Sequence, residues 1–387
     1  MESQPSTLYQ LLATDGQTAA RVGRLELAHG PVETPVFMPV GTQASVKSVH
    51  PRELDEIGAE IILSNTYHLN LRPGVEVIRH FRGLHQFMQW QRPILTDSGG
   101  YQVFSLSQLR KITEEGVHFQ SHIDGSPCFL GPETAMEIQA ALGSDIAMVF
   151  DECPPHSCSR DYAETSADLT QRWAERCQAW IEKNRPLCAN GHPQRHFGIV
   201  QGSVFRDLRE RAARELVALP FDGYAIGGIS VGESAQEMLD VVGWTTPLLP
   251  SEKPRYVMGV GTPPQLLEMI ALGADMFDCV LPTRVARNGA AFTAHGLINL
   301  RNRQFALDDS AIDPEGGTCS ACQGFSRGYL RHLIKAGEIL GLRLLTLHNL
   351  HFYLSLMRHA RAAITEGRFR EFQVDFAARY NSNHTVI

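Results

Sequence analysis

Eight short apolar runs, each giving way to a polar or glycine-containing stretch, constrain this chain more than any other feature. They fall at 35–40, 60–63, 93–96, 145–150, 196–200, 223–226, 255–258 and 276–280. Each has the length of a strand. Most lack the apolar–polar alternation of a sheet with one wet face, as expected of parallel strands covered on both sides. Amphipathic helical patterns lie between many of them, at 132–142, 163–183, 206–219, 235–242 and 264–272. Strands alternating with helices give a parallel sheet, and eight of them predict an α/β fold closed into an irregular (β/α)8 TIM-type barrel. An open doubly wound sheet is the main alternative, but no Gly-x-Gly-x-x-Gly turn follows the first strand.

Two regions break the rhythm. Residues 7–34 carry Asp15-Gly16 and His29-Gly30 turns between alternating segments, which predicts an N-terminal antiparallel hairpin layer. Residues 104–130, with Asp124-Gly125, read as a second inserted hairpin. From about residue 300 the chain changes character, with a Cys-x-x-Cys and then helices rich in Leu, His and Arg. The expected division is a barrel over 1–300 and an appended helical subdomain over 301–387. The net charge of −7 requires any nucleic-acid contact to use a local patch. No apolar run nears the ~20 residues of a membrane span, and the polar Met1-Glu2-Ser3-Gln4-Pro5 has no charged-then-apolar leader pattern. Eight cysteines scattered through a long chain suit a reduced, cytoplasmic protein better than a disulfide scaffold.

In barrels of this type the chemistry sits where strands end. Here those ends read Thr96-Asp97-Ser98-Gly99-Gly100-Tyr101, Asp151-Glu152-Cys153, Gln201-Gly202-Ser203, Gly227-Gly228-Ile229, Gly259-Val260-Gly261-Thr262 and Asp278-Cys279. Any one such aspartate can be a helix cap or a turn former. Asp278 is harder to dismiss, because an acid inside Met276-Phe277-Asp278-Cys279-Val280-Leu281 is costly to bury without a partner or a task. Paired glycines can be plain turns, but they also let a flat ligand approach the backbone. Tyr101 beside them is either core or a platform for stacking a base. No lysine ends a strand, which argues against a Schiff base, and no Ser–His pair is placed for acyl transfer. Two carboxylates are the usual tools for breaking a glycosidic bond. Spacing alone leaves glycosyl transfer and hydrolysis both open.

These segments, together with Asn65-Thr66-Tyr67-His68-Leu69, Met258-Gly259-Val260-Gly261, Asp275 to Arg284 and the tail Gly367-Arg368-Phe369, resemble the queuine/archaeosine tRNA-ribosyltransferases over nearly the whole chain. The resemblance implies exchange of guanine at the wobble position of tRNAs with GUN anticodons for 7-aminomethyl-7-deazaguanine (preQ1), on the route to queuosine, by a homodimer. It implies Asp278 as the nucleophile on ribose C1′ and Asp97 as the general acid/base. The base would be held by Asp97, Ser98, Gly99, Gly100, Tyr101, Asp151, Cys153, Gln201, Gly228, Ile229 and Met258, with Tyr101 and Met258 on its faces. Cys153 and Val231 match the bacterial form. RNA contacts would come from Gly259, Val260, Gly261, Thr262, Pro263, Pro264 and Gln265, and from Thr283, Arg284, Val285, Ala286 and Arg287.

The family's structural Zn2+ is held by Cys-x-Cys-x-x-Cys and a helical His. Cys319, Cys322 and His348 match three of these positions, whereas the first cysteine falls at Gly316 or Gly317. Zinc usually takes four ligands, so the fourth is Asp313, Glu315, His351 or water; otherwise the helices pack without metal. Phe325, Tyr329 and His332 share a helical face, read as core or as a dimer contact. Arg284, Arg287, Arg301, Arg303, Arg327 and Arg331 supply local positive charge for tRNA. Competing readings are a non-catalytic tRNA-binding subunit, which the presence of both Asp97 and Asp278 disfavours; a zinc hydrolase, which would need His-x-His at a strand end; and an archaeosine-type member, whose long C-terminal extension is missing.

Overall fold

The computed structural model describes residues 8–106 and 110–380; the leader reading at 1–5 lies outside them. All eight expected strands form, in one parallel sheet. In chain order they are β1 (Val36–Met38), β2 (Ile62–Asn65), β3 (Ile94–Asp97), β4 (Ile146–Met148), β5 (Arg195–Val200), β6 (Gly223–Ile226), β7 (Arg255–Val257) and β8 (Met276–Asp278). Strands β2 to β8 pair in sequence order, and β8 pairs with β1. The ring closes between β1 and β2, where the Gly41 N–H donates to the Leu63 carbonyl at 2.6 Å and the Leu63 N–H to that of Pro39 at 3.0 Å. The strands are apolar on both faces because side chains fill the barrel inside and helices cover it outside. The second strand lies two residues later than expected. That shift makes Asn65 its last residue, opposite Asp97 in the register.

The helices follow their sequence signals. Pro132–Leu142 has Pro132 in its first turn and ends at Gly143, whose φ of 68° suits glycine. Arg160–Asn184 is capped by Ser159, which accepts from the Tyr162 N–H. The N-terminal layer is three antiparallel strands, Tyr9–Thr14, Arg21–Leu27 and Gly30–Thr34. The insertion after β3 is a second such sheet, Arg110–Ile112, Val117–Gln120 and Pro127–Leu130.

After β8 the chain forms helix Leu281–Arg287, the hairpin Ala290–Thr293 and Gly296–Asn299, and two short helices around a small apolar core that includes Leu300, Phe305, Ile312, Leu330 and Ile334. Helix Ile339–Thr365 joins this core to the barrel: Leu344 and Leu345 pack in the small core, and Leu347, Tyr353, Met357 and Ala360 in the main one. No helix among the described residues is long and apolar enough to cross a membrane.

Candidate active site

The C-terminal ends of the strands surround a cleft of about 620 Å3. Asp97, Asp151 and Asp278 all line it. Asp97 closes β3 and is held from β2: the Thr66 N–H donates to Oδ1 at 3.0 Å, and the Asn65 side-chain amide donates to Oδ2. Asn65 also caps helix Thr66–Leu71, its Oδ1 accepting from the His68 N–H at 3.0 Å. Burial pushes the Asp97 carboxyl up to about 7, and the negative charges of Asp278 and Asp151 add to the shift against the two hydrogen bonds.

Asp278 ends β8. Its Oδ1 accepts from the Tyr256 hydroxyl at 2.6 Å and the Gly259 N–H at 2.7 Å. Burial raises its pKa despite these two donors. Asp151 follows β4 and accepts from Gln201 Nε2 at 2.7 Å and Ser98 Oγ at 3.3 Å; burial pushes it up to about 6. Among the described residues no Lys, Arg or His forms an ion pair with any of the three.

The other residues expected to hold a base come together in space. Ser98, Gly99, Gly100, Tyr101, Cys153, Gln201, Gly228, Ile229 and Met258 all line the same cleft. Cys153 and Ile229 are buried in its wall, and Tyr101 is 46% exposed. Two glycines make the polar edge possible. A Cβ at Gly100 would lie 2.5 Å from the Asp151 carbonyl oxygen. One at Gly228, where φ is +63°, would lie 2.2 Å from Gln201 Oε1. That Oε1 is buried and has no hydrogen-bond partner, as suits a group waiting for a ligand donor.

The two stretches expected to meet RNA divide. Gly259, Val260, Gly261, Thr262 and Gln265 reach the cleft, while Pro263 and Pro264 open helix Pro263–Ala271. In helix Leu281–Arg287 only Arg284 and Leu281 line the cleft. Thr283 and Ala286 are buried, Val285 is half-buried, and Arg287 donates back to the Thr283 carbonyl. Of this stretch, then, Arg284 presents itself directly, and the buried members position the helix. Arg327 is paired with Asp308; Arg301 and Arg331 donate to backbone carbonyls and form no ion pair among the described residues. Tyr329 is exposed and stacks on Phe325, while Leu330, Leu333 and Ile334 pack inward. The aromatic stripe therefore divides: Phe325 is half-buried against the small core, while Tyr329 and His332 face outward.

Three contributors were given no role by the sequence, although Asn65 lies in one of the segments that carry the resemblance. Asn65 and Tyr256 act on the two aspartates by register and by facing across adjacent strands. Arg209 is wholly buried and, among the described residues, has no carboxylate partner; burial lowers its pKa to about 10. It donates to the carbonyls of Ser203, Val200, Gly227 and Gly228, tying together the turns after β5 and β6.

The Cys/His group also assembles. The Cys319 and Cys322 sulfurs lie 3.5 and 3.2 Å from His348 Nδ1. His348 Nε2 is 2.6 Å from the Phe292 carbonyl, which fixes the ring with Nδ1 toward the sulfurs, as metal-ligating histidines are usually held. Two thiols and an oriented imidazole, all buried, fit a structural zinc ion.

The family model for queuine tRNA-ribosyltransferase matches residues 15–382. Proteins with that name are similar over almost their full length. One from Pelotomaculum thermopropionicum is 58% identical over 369 residues, 95% of this chain and 97% of its own. One from Halalkalibacterium halodurans is 53% identical over 377 residues, 97% of each. One from Halothermothrix orenii is 53% identical over 381 residues, 98% of this chain and 100% of its own.

Proposed function

We infer, from the premise that this chain belongs to the queuine tRNA-ribosyltransferase family, a pentosyltransferase that modifies guanine in tRNA in the queuosine pathway, a specific course for its reaction. The wobble guanine of a GUN-anticodon tRNA leaves and preQ1 enters. A base inside a stack cannot present its C1′ for attack, so the nucleotide is flipped into the cleft. Asp278 attacks C1′ through Oδ2, the oxygen not engaged by Tyr256 and Gly259. As the C1′–N9 bond breaks, its electron pair leaves with guanine, and Asp97 supplies the proton. Asp97, now ionised, takes a proton from the incoming base, whose N9 attacks C1′ and releases Asp278. An acid with a pKa of about 7 can serve in both directions at neutral pH.

The observation that carries this reading is the pair of uncompensated carboxylates, Asp97 buried and Asp278 half-buried, facing one cleft. Asp151, Gln201 and the Gly228 backbone would hold the purine edge, with Tyr101 and Met258 on its faces. Gly259–Gln265 and the region of Arg284 would contact the RNA backbone, and RNA affinity should then fall steeply with salt. The exposed Tyr329, stacked on the half-buried Phe325, supports a homodimer contact. Residues 301–387 would form the metal-bearing unit, with zinc held by Cys319, Cys322 and His348. There zinc would cross-link the short helix Ser320–Gly324, at Cys319 and Cys322, to the long helix Ile339–Thr365, at His348.

The test is incorporation of labelled guanine into unmodified tRNA carrying guanine at the wobble position, followed by competition with preQ1. A tRNA adduct stable to denaturing electrophoresis is expected with wild type and not with Asp278→Ala. No incorporation by folded, zinc-replete protein would overturn the catalytic reading in favour of a tRNA-binding subunit.

A further inference from the structure

We propose that the Asp313 carboxylate completes the metal site at Cys319, Cys322 and His348, in place of the cysteine this sequence lacks; this rests on the zinc reading given above. A thiol at Gly317 has no room in this arrangement. A Cβ there would lie 2.2 Å from the Cys322 sulfur and 2.6 Å from the Asp313 carbonyl oxygen. The space next to Cys322 is instead taken by a turn in which the Gly317 N–H donates to that carbonyl at 2.9 Å. The turn sets Asp313 beside the site: the point 2.2 Å from the Cys322 sulfur is also 2.6 Å from the Asp313 carbonyl oxygen, and a Cβ at Gly316 would lie 3.0 Å from Asp313 Oδ2.

Asp313 is only 2% exposed. Its Oδ2 accepts one hydrogen bond, from the Ala294 N–H at 3.2 Å, and its Oδ1 is buried with no partner. Among the described residues no Lys, Arg or His forms an ion pair with it. A buried carboxylate left this way is costly unless a cation neutralises it, and a cation held by two thiolates beside it would do so. One anionic ligand then replaces another, and the formal charge of the donor set is unchanged. Zinc accepts carboxylate oxygen alongside Cys and His. The other candidates are engaged: Glu315 is largely exposed and paired with His295 Nε2 at 2.9 Å, and His351 Nε2 lies 3.1 Å from the Thr318 hydroxyl.

The experiment measures zinc retained by the full chain against a graded chelator, and the absorption spectrum of the Co2+-substituted protein. Wild type should retain about one zinc per subunit. Asp313→Ala should release it at chelator concentrations lower by ~10-fold or more. Asp313→Cys should restore retention and strengthen the thiolate-to-cobalt charge-transfer bands as a third sulfur enters. Should the alanine variant not fold, Asp313→Asn, which keeps an acceptor for Ala294, should still weaken retention. Retention and spectrum unchanged in both variants would overturn the assignment, as would loss of zinc in His351→Ala with Asp313→Ala unaffected. Wild type that binds no zinc would remove the zinc reading itself.

Discussion

Strands β4 and β8 each bear an aspartate near both ends, and the two ends treat it oppositely. At the N-terminal end, Asp145 accepts from the backbone N–H groups of His29 and Ile94, each at 2.9 Å. The His29 and His85 rings approach it at 3.0 and 3.2 Å. Burial pushes its pKa up, but the hydrogen bonds from His29 and His85 and their charge outweigh that and hold it well below the usual range. Asp275 is held by Arg21 Nε at 2.9 Å, the Tyr9 hydroxyl at 3.2 Å and the Arg255 N–H at 2.7 Å. At the C-terminal end Asp151 and Asp278 meet neutral donors alone and are raised. The carboxylates at the N-terminal end are buried more deeply; what separates the ends is the partners, histidines and an arginine at one and neutral donors at the other. His29 and Arg21 both come from the N-terminal hairpin layer, so the compensated end is a clamp, while the uncompensated end keeps its protons mobile.

The sharpest way to break this comparison is to neutralise the same strand at each end. Asp278→Asn should lower guanine incorporation by at least ~10³-fold while thermal unfolding shows a fold as stable as wild type or more so. Residual activity within tenfold of wild type would end the nucleophile assignment. Asp275→Asn should do the reverse. Leaving the Arg21 guanidinium buried without its anion should cost about 3–5 kcal/mol in urea unfolding, with turnover per folded molecule within ~3-fold of wild type.

The pH dependence of stability sharpens it further, through Asp151→Asn. The folded pKa of Asp151, about 6, lies above that of an unfolded aspartate, about 3.9. Between these values the native state holds a proton the unfolded chain has lost, so wild-type stability falls as pH rises through that window. The stability advantage of Asp151→Asn over wild type should be absent near pH 4 and full above about pH 7. Asp145, with its folded pKa depressed, contributes the opposite way: its stabilisation is present above about pH 4 and lost as pH falls. Removing the Asp151 charge also eases ionisation of Asp97, so the Asp97 limb of the pH–rate profile should move to lower pH. The KM for guanine should rise ~10-fold or more as the edge contact is lost.

The half of this contrast that lies in the cleft was legible in the sequence. Each strand-end aspartate follows an apolar run, and parallel strands buried on both faces leave few other places for a charge. The strands themselves were legible for the same reason, with only the second misplaced, by two residues, because the apolar run stops at Leu63 and it is register that carries the strand on to Asn65, opposite Asp97. The clamp was not legible. His29 is a turn residue, His85 sits in a five-residue helix, and their ring centroids lie 3.5 Å apart only because the hairpin layer folds over the barrel. Arg209 was hidden similarly, in a run of charged residues on a helix of which one guanidinium points inward to four carbonyls. Local pattern carries period and strand ends; it does not carry which side chains meet from distant segments.

The smallest predicted effect tests whether neutral donors suffice to keep the nucleophile ionised. Tyr256 and Gly259 are the two donors to Asp278, and both lower a pKa that burial has raised. Tyr256→Phe keeps the ring that packs in β7 and removes only the hydroxyl at 2.6 Å. With one donor fewer the carboxyl should rise further. The rise is limited, because a hydrogen bond to a charged group contributes about 1.5–3 kcal/mol and water in the open cleft replaces part of it. Attack on C1′ requires the ionised form, so the variant should be several-fold slower at pH 7 and recover toward wild-type turnover as pH rises. A uniform loss at all pH values would mean that Tyr256 aims the carboxylate rather than tuning its charge. No loss at any pH would mean that Gly259 alone sets Asp278, and that the difference between the two ends of β8 rests on the backbone.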